Sequence, residues 1–186
     1  TNVLWTLHAN FDEATARLHG YVDELKREAE ADSVVVVLSD YDGDRWRNDI
    51  LASYKENRKP KRKPTVYFAL REYAEEVWET YERPRLEGDD VLGILATHPG
   101  YKPNAEKVVL SIDKDLRTIP GLHINWSHAR KEGDWEPKEI TEQEADRFWM
   151  RQTLMGDRTD GYKGVPGIGP VTSDRLLPED APLEEM

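Results

Sequence analysis

The sequence predicts an α/β domain with a mainly parallel sheet flanked by helices, and three observations point there. Two short, almost wholly apolar, β-branched runs, residues 33–38 and 108–112, read as strands buried on both faces. Segments with apolar residues at helical spacing lie before, between and after them. Aspartates follow each run, Asp40 after the first and Asp113 with Asp115 after the second. In a parallel sheet the carboxyl ends of the strands form the ligand edge, so these acids fall where a site would form.

Taken in order, residues 11–30 carry Leu18, Val22 and Leu25 among charged residues and predict a surface helix. The run at 33–38 is the first strand. Residues 65–81 place Phe68, Leu70, Tyr73, Val77 and Trp78 at helical spacing after Pro64, predicting a helix. Residues 86–96 read as a third helix that opens with carboxylates, and 108–112 is the second strand. Residues 123–126 read as a further short strand. Residues 141–154 read as a helix with Thr141 as cap and Glu144 completing a capping box. Pro170 suits the first position of another helix. The stretch 177–186 has two prolines and four acids without periodicity, the pattern of a loose acidic tail.

At 186 residues the chain is long enough for one domain with a real core. A hydrophobic content of 38% with 6 Trp and 8 Tyr argues against a disordered acidic chain despite the net charge of −11. With no cysteine, disulfides, thiolate ligands and cysteine nucleophiles are excluded. The five histidines lack zinc-site spacing, so a metal would be an oxygen-ligated Mg²⁺ or Mn²⁺. No segment approaches the roughly 20 apolar residues of a membrane span and the start lacks signal-peptide regions, which gives a cytoplasmic expectation.

The chemistry resides in acids that recur in clusters: Asp40; Glu87, Asp89 and Asp90; Asp113 and Asp115; Asp157 and Asp160. Two unit charges about 4 Å apart repel by roughly 4 kcal/mol at a surface-like dielectric, a conflict that divalent cations resolve. Glu87 and Asp90 are three apart on one helix face, with Asp89 about 100° round from its neighbour. Each cluster also has a plainer explanation: helix N-terminal charge for Glu87 to Asp90, a strand-ending turn for Asp113 and Asp115, an Asp-rich loop for Asp157 and Asp160. Their convergence at one sheet edge favours a metal-dependent nuclease, in which two cations about 3.5 to 4 Å apart orient a phosphodiester and activate a water.

Tyr54-Lys55-Glu56-Asn57-Arg58-Lys59-Pro60-Lys61-Arg62-Lys63 is the one dense basic segment, with six basic residues and one acid between 55 and 63. It can meet several phosphates, or be simply a solvated charge run. Lys55 and Arg58 are candidates to stabilise developing charge at a scissile phosphate, and Tyr54 and Trp46 to stack on an unpaired base, with core packing an equal alternative for Trp46. Gly164, Gly167 and Gly169 form a glycine hairpin that can hold a DNA backbone or frame a K⁺ ion, or serve as an ordinary turn between helices.

In this order, Ser39-Asp40, Tyr54-Lys55-x-Asn57-Arg58-Lys59, Glu87-Gly88-Asp89-Asp90, Ser111-Ile112-Asp113-Lys114-Asp115, and Gly156-Asp157-x-x-Asp160-Gly161 followed by Gly164-x-x-Gly167-x-Gly169 resemble the 5′-nuclease superfamily of flap endonucleases, polymerase-associated 5′ nucleases and phage 5′-to-3′ exonucleases. Thr118-Ile119-Pro120 and Gly161-Tyr162 are most similar to the phage T-odd branch. The resemblance implies a PIN-like fold over residues 1–155, a helix-three-turn-helix DNA-binding element begun at 156–177, and cleavage of duplex or flap DNA near a 5′ end with two Mg²⁺ or Mn²⁺ ions. It implies metal ligation by the motifs at 87–90 and 113–115, a second ion served by Asp157 and Asp160, and phosphate contacts from Lys55 and Arg58. The motif from Tyr54 to Lys59 would belong to the arch beside the 5′ strand, and Lys61, Arg62 and Lys63 of the same basic segment are candidate DNA contacts. The chain starts at Thr1 without the first strand and aspartate of such proteins and stops soon after the hairpin, so it reads as an internal fragment. A catalytically impaired DNA-binding relative and a PIN-type ribonuclease are the alternatives.

Overall fold

The computed structural model describes residues 11–41, 44–56 and 63–177. Arg58, Lys59, Lys61 and Arg62, and the acidic stretch 178–186, lie outside them.

Helix α1 (Phe11–Glu28) begins with Asp12 and Glu13 and ends with Lys26 and Arg27, a charge order that complements the helix dipole. It buries Ala14 and meets α3 (Tyr67–Val77), where His19 Nδ1 lies 2.8 Å from the Tyr73 hydroxyl. Strand β1 (Val35–Val37) pairs in parallel with β2 (Glu79–Tyr81), Val35 opposite Glu79. The periodicity that predicts helix through 81 therefore overruns. Backbone at Trp78 turns extended, Thr80 Oγ1 donates to the Ala74 carbonyl at 3.0 Å, and residues 79–81 satisfy the backbone of β1 instead. β1 is only half-buried, because among the described residues β2 is its sole partner.

A single turn, α2 (Trp46–Ile50), precedes α3, and α4 (Gly88–Thr97) follows β2. The second sheet joins β3 (Val108–Leu110) in parallel to β4 (Gly121–Ile124), which pairs antiparallel with β5 (Lys138–Ile140). Among the described residues the expected single sheet is thus two small ones, with two of three pairings parallel. A 3₁₀ turn (Lys114–Thr118) buries Leu116 with Val109 and Ile119 against Leu92 and Ala96 of α4, so the core fastens β3 to the helix that carries the acidic motif. Asn125 caps α5 (Trp126–Glu132), and Gly133 ends it with φ 74°. Thr141 caps α6 (Glu142–Met155) in a capping box with Glu144, as the spacing predicts. Pro170 opens α7 (Pro170–Leu176), packed on α6.

Candidate metal centre and nucleic-acid interface

The chain leaving β1 is tied to the start of α4. Asp40 N–H donates to the Leu86 carbonyl at 3.0 Å, and Gly88 N–H donates to Ser39 Oγ at 2.9 Å. A Cβ at position 88 would come 3.2 Å from that hydroxyl, which explains the glycine between the two acids. At the same edge the chain leaving β3 turns through Asp113, whose carboxylate accepts the Asp115 N–H at 3.0 Å. The Asp113 and Asp115 pair therefore sits on the strand-ending turn rather than on a continued strand.

Facing these two loops is a cleft of about 670 Å³ lined by Glu87, Asp89, Asp90, Asp115, Asp157 and Asp160, with Trp46, Tyr54 and Trp149 among its other walls. The carboxylates divide into two kinds. Glu87 receives Lys55 Nζ at 2.6 Å, Arg45 Nε at 2.8 Å and the Tyr54 hydroxyl at 2.7 Å. Burial alone would push its carboxyl up, but these donors outweigh burial and hold it below the usual carboxylate range. Asp90 is gripped by Arg47 through two 2.7 Å contacts and accepts the Glu87 N–H at 2.9 Å, closing a reciprocal capping box. Its carboxyl too is lowered, Arg47 overcoming the desolvation.

Asp89 is of the other kind. It lines the cleft with its residue still exposed, yet partial burial, then the Asp113 and Glu87 charges, push its carboxyl up to about 6 against the pull of Lys55. Asp115 is raised by burial and then by Asp113, with Lys114 and the amide of Gln152, 2.5 Å away, opposing. Asp157 is lowered: burial raises it, but the Thr159 N–H at 2.6 Å and Lys114 at 3.3 Å prevail. Asp160 takes the Tyr54 hydroxyl at 3.1 Å and stands 3.6 Å from Lys55 Nζ.

Lys55 adopts φ 57°, a left-handed conformation rare for a side chain of its kind, and its N–H donates to the Asp160 carbonyl at 2.9 Å. Asp40 accepts the Arg85 N–H and so braces the turn that leads to Glu87; it is not among the residues lining the cleft. Lys63 lies over the rings of Tyr41 and Tyr67, at 3.9 and 4.4 Å. Gly164 (φ 64°) packs against Gly156, where a Cβ on either would meet backbone at 2.4 Å, so this pair is required by close chain approach. Gly167 (φ 82°) turns in open space, and Gly169 caps α7. Arg45, Arg47, Lys114 and Gln152 were not expected here, and no spacing in the sequence marks them.

Among the described residues no three His, Asp or Glu side chains are gathered as a ready metal cage. The donor chemistry nevertheless fits a hard divalent cation. Asp89, Asp113 and Asp115 are oxygen donors, the Asp113 charge raises both Asp89 and Asp115, and a cation among them removes that conflict.

The family model of the 5′-3′ exonuclease N-terminal resolvase-like domain matches residues 7–145. The chain belongs to this 5′-3′ exonuclease family. It is 39% identical over 137 residues to an exodeoxyribonuclease of Enterobacteria phage T3, covering 72% of this chain and 44% of that protein. An Escherichia phage T7 exonuclease is 38% identical over 144 residues (76% and 46%), and a flap endonuclease Xni of Shewanella oneidensis 29% over 148 (77% and 56%). The chain thus spans about half the length of the curated relatives it matches. Its fold is that of a bacteriophage T5 protein co-crystallised with metal ions, with a TM-score of 0.68 at 16% identity over 92% of this chain and 70% of the other. A bacteriophage T5 flap endonuclease in complex with DNA and metal ions superposes with a TM-score of 0.64 at 16% identity, covering 93% and 66%. The α/β, PIN-like architecture of the 5′-nuclease superfamily is therefore the fold of this exonuclease-family chain. No described helix is long and apolar enough to cross a membrane.

Proposed function

We propose that the chain carries the nuclease centre of a 5′-to-3′ exodeoxyribonuclease or 5′ flap endonuclease that hydrolyses DNA phosphodiesters near a 5′ end. The observation that carries this reading is the group Asp89, Asp113 and Asp115, in which Asp113 adds to the burial that raises the other two, set in a 5′-3′ exonuclease family chain. Two Mg²⁺ or Mn²⁺ ions, when bound, supply charge neutralisation for the phosphate and an activated water. Asp89, Asp113 and Asp115 would hold the first ion, and Asp157 and Asp160 the second. Glu87 and Asp90 can join the ligand set by giving up Lys55 and Arg47, and Asp40 supports the loop from behind.

Lys55, freed from Glu87, would then approach the scissile phosphate and stabilise its developing charge, with Arg58 beside it. Tyr54 holds Glu87 and Asp160 at a fixed spacing. Residues 59–63 would follow the 5′ strand. The hairpin with Gly164, Gly167 and Gly169, between α6 and α7, would take the duplex backbone and frame a K⁺ ion. In domain terms, residues 1–155 form the catalytic unit, 156–177 the DNA-binding element and 178–186 an acidic tail.

A Mg²⁺-dependent assay on a 5′-labelled duplex tests the reading: the expected result is short 5′ products from the wild type and none from Asp113→Ala. Indistinguishable wild-type and variant samples would refute it. The pairing of Glu87 and Asp90 with Lys55 and Arg47 favours one second reading, a DNA-binding relative with a weak metal site, for which Mn²⁺ would add no turnover.

A further inference from the structure

The cleft is lined by two unlike sets of side chains. Beside the carboxylates, Trp46, Ile50, Leu51, Ile94 and Trp149 line the same space, and they are 37%, 77%, 37%, 51% and 57% exposed. Large apolar side chains left this open beside charged groups mark a binding surface more often than a packing accident. The two indoles are held differently. Trp46 is pinned, its Nε1 3.4 Å from Asp90 and the Arg47 guanidinium 4.7 Å from its ring centre, whereas Trp149 projects from α6 at its exposed position.

From this juxtaposition of exposed apolar side chains and carboxylates in one cleft, we propose that Trp149, with Ile50 and Ile94, forms a stacking platform for unpaired nucleobases of the DNA strand whose phosphate is cleaved. The inference rests on the nuclease reading and names which part of the substrate these side chains take. A nucleotide is itself two-sided, an anionic phosphate and a flat neutral base. The carboxylates repel the phosphate unless cations intervene, and the apolar side chains can accept only the base. A base still paired in a duplex has its edges hydrogen-bonded and its faces covered, so a surface that stacks on a base face selects unpaired ends. Stacking on an indole reads no particular sequence, which suits an enzyme that degrades any strand. Trp149 is therefore a specificity-determining residue for end structure, and not part of the metal centre.

The test is a pair of binding comparisons, made by fluorescence anisotropy with the 186-residue chain and Ca²⁺ in place of a catalytic ion. One labelled duplex carries a short 5′ thymine flap; the other carries a flap of the same length built of abasic residues. Trp149→Ala is expected to weaken binding of the thymine flap about 10-fold, within the range of one lost base stack. On the abasic flap it should cost less than about 2-fold, and Trp149→Phe should keep most of the thymine-flap affinity. Equal losses on both flaps, or no loss on the thymine flap, would overturn the platform while leaving the nuclease reading intact. Failure of the wild type to bind either DNA would remove both.

Discussion

Two carboxylates adjacent in sequence, Asp89 and Asp90, have opposite fates. Asp90 faces Arg47 and is held ionised by a bidentate grip, while Asp89 is pushed up to about 6 by burial and then by the Asp113 charge. The same contrast runs across the whole cleft. Glu87, Asp90 and Asp157 have partners that outweigh their burial, whereas Asp89 and Asp115 have neighbours that add to it. One half of the cleft is thus an ion-pair network that holds α4 against residues 45–55. The other half is left in electrostatic debt, the condition under which a divalent cation binds well.

The sharpest way to break this comparison is to neutralise the repelling half. Asp89→Asn and Asp113→Asn are each expected to lower Mg²⁺-dependent cleavage by at least about 100-fold, with DNA affinity in Ca²⁺ changed far less. Near-normal turnover in either variant would show that the repelling group is not where the ions act.

Arg47→Ala addresses the paired half. Removing it leaves Asp90 and part of Glu87 uncompensated at 14% and 12% side-chain exposure, so stability should fall by about 3 kcal/mol in urea titration at pH 7. The direction of the Asp90 and Glu87 shifts sets the pH dependence. Carboxyls lowered in the folded state contribute stability above their unfolded values, and that contribution is lost as pH falls through the folded ones. The gap between wild type and Arg47→Ala should therefore close as the solution is acidified below about pH 4.

Tyr54→Phe sharpens the boundary between the halves. It deletes the hydroxyl that bridges Glu87 and Asp160, and a loss of about 1 to 2 kcal/mol in the same titration is expected. A variant as stable as the wild type would mean that Lys55 alone carries this junction.

The smallest effect has the opposite sign. Asp89 has a raised carboxyl, so without divalent ions its ionised form costs stability above pH 6 and costs nothing below about pH 4, where it is protonated in both states. Asp89→Asn should accordingly raise the melting temperature slightly in EDTA at pH 7 and not at pH 4. A gain equal at both values would point to a packing change instead.

Strong local signals fix their elements directly. Thr141 with Glu144, Pro170 at the start of α7, and the β-branched runs around β1 and β3 all produce the elements their spacing predicts. The elements that were not anticipated have weak local codes. Strand β2 is Glu-Thr-Tyr at the end of a helical pattern, β5 is Lys-Glu-Ile, and α2 is one turn of mostly polar residues. Each forms because a distant backbone offers hydrogen bonds or a distant carboxylate offers a partner, as β1 does for β2.

The acids of the cleft, the caps and the glycines at tight passages were determined by the sequence itself, since each acts through residue type and neighbours a few positions away. Which carboxylate would be neutralised was decided only by tertiary structure. Lys55 meets Glu87 across 32 residues, Arg47 meets Asp90 across 43, and Tyr54 meets Asp160 across 106. A charge has no period along the chain, and its energy depends on what folding brings within a few ångströms of it and how much water folding removes.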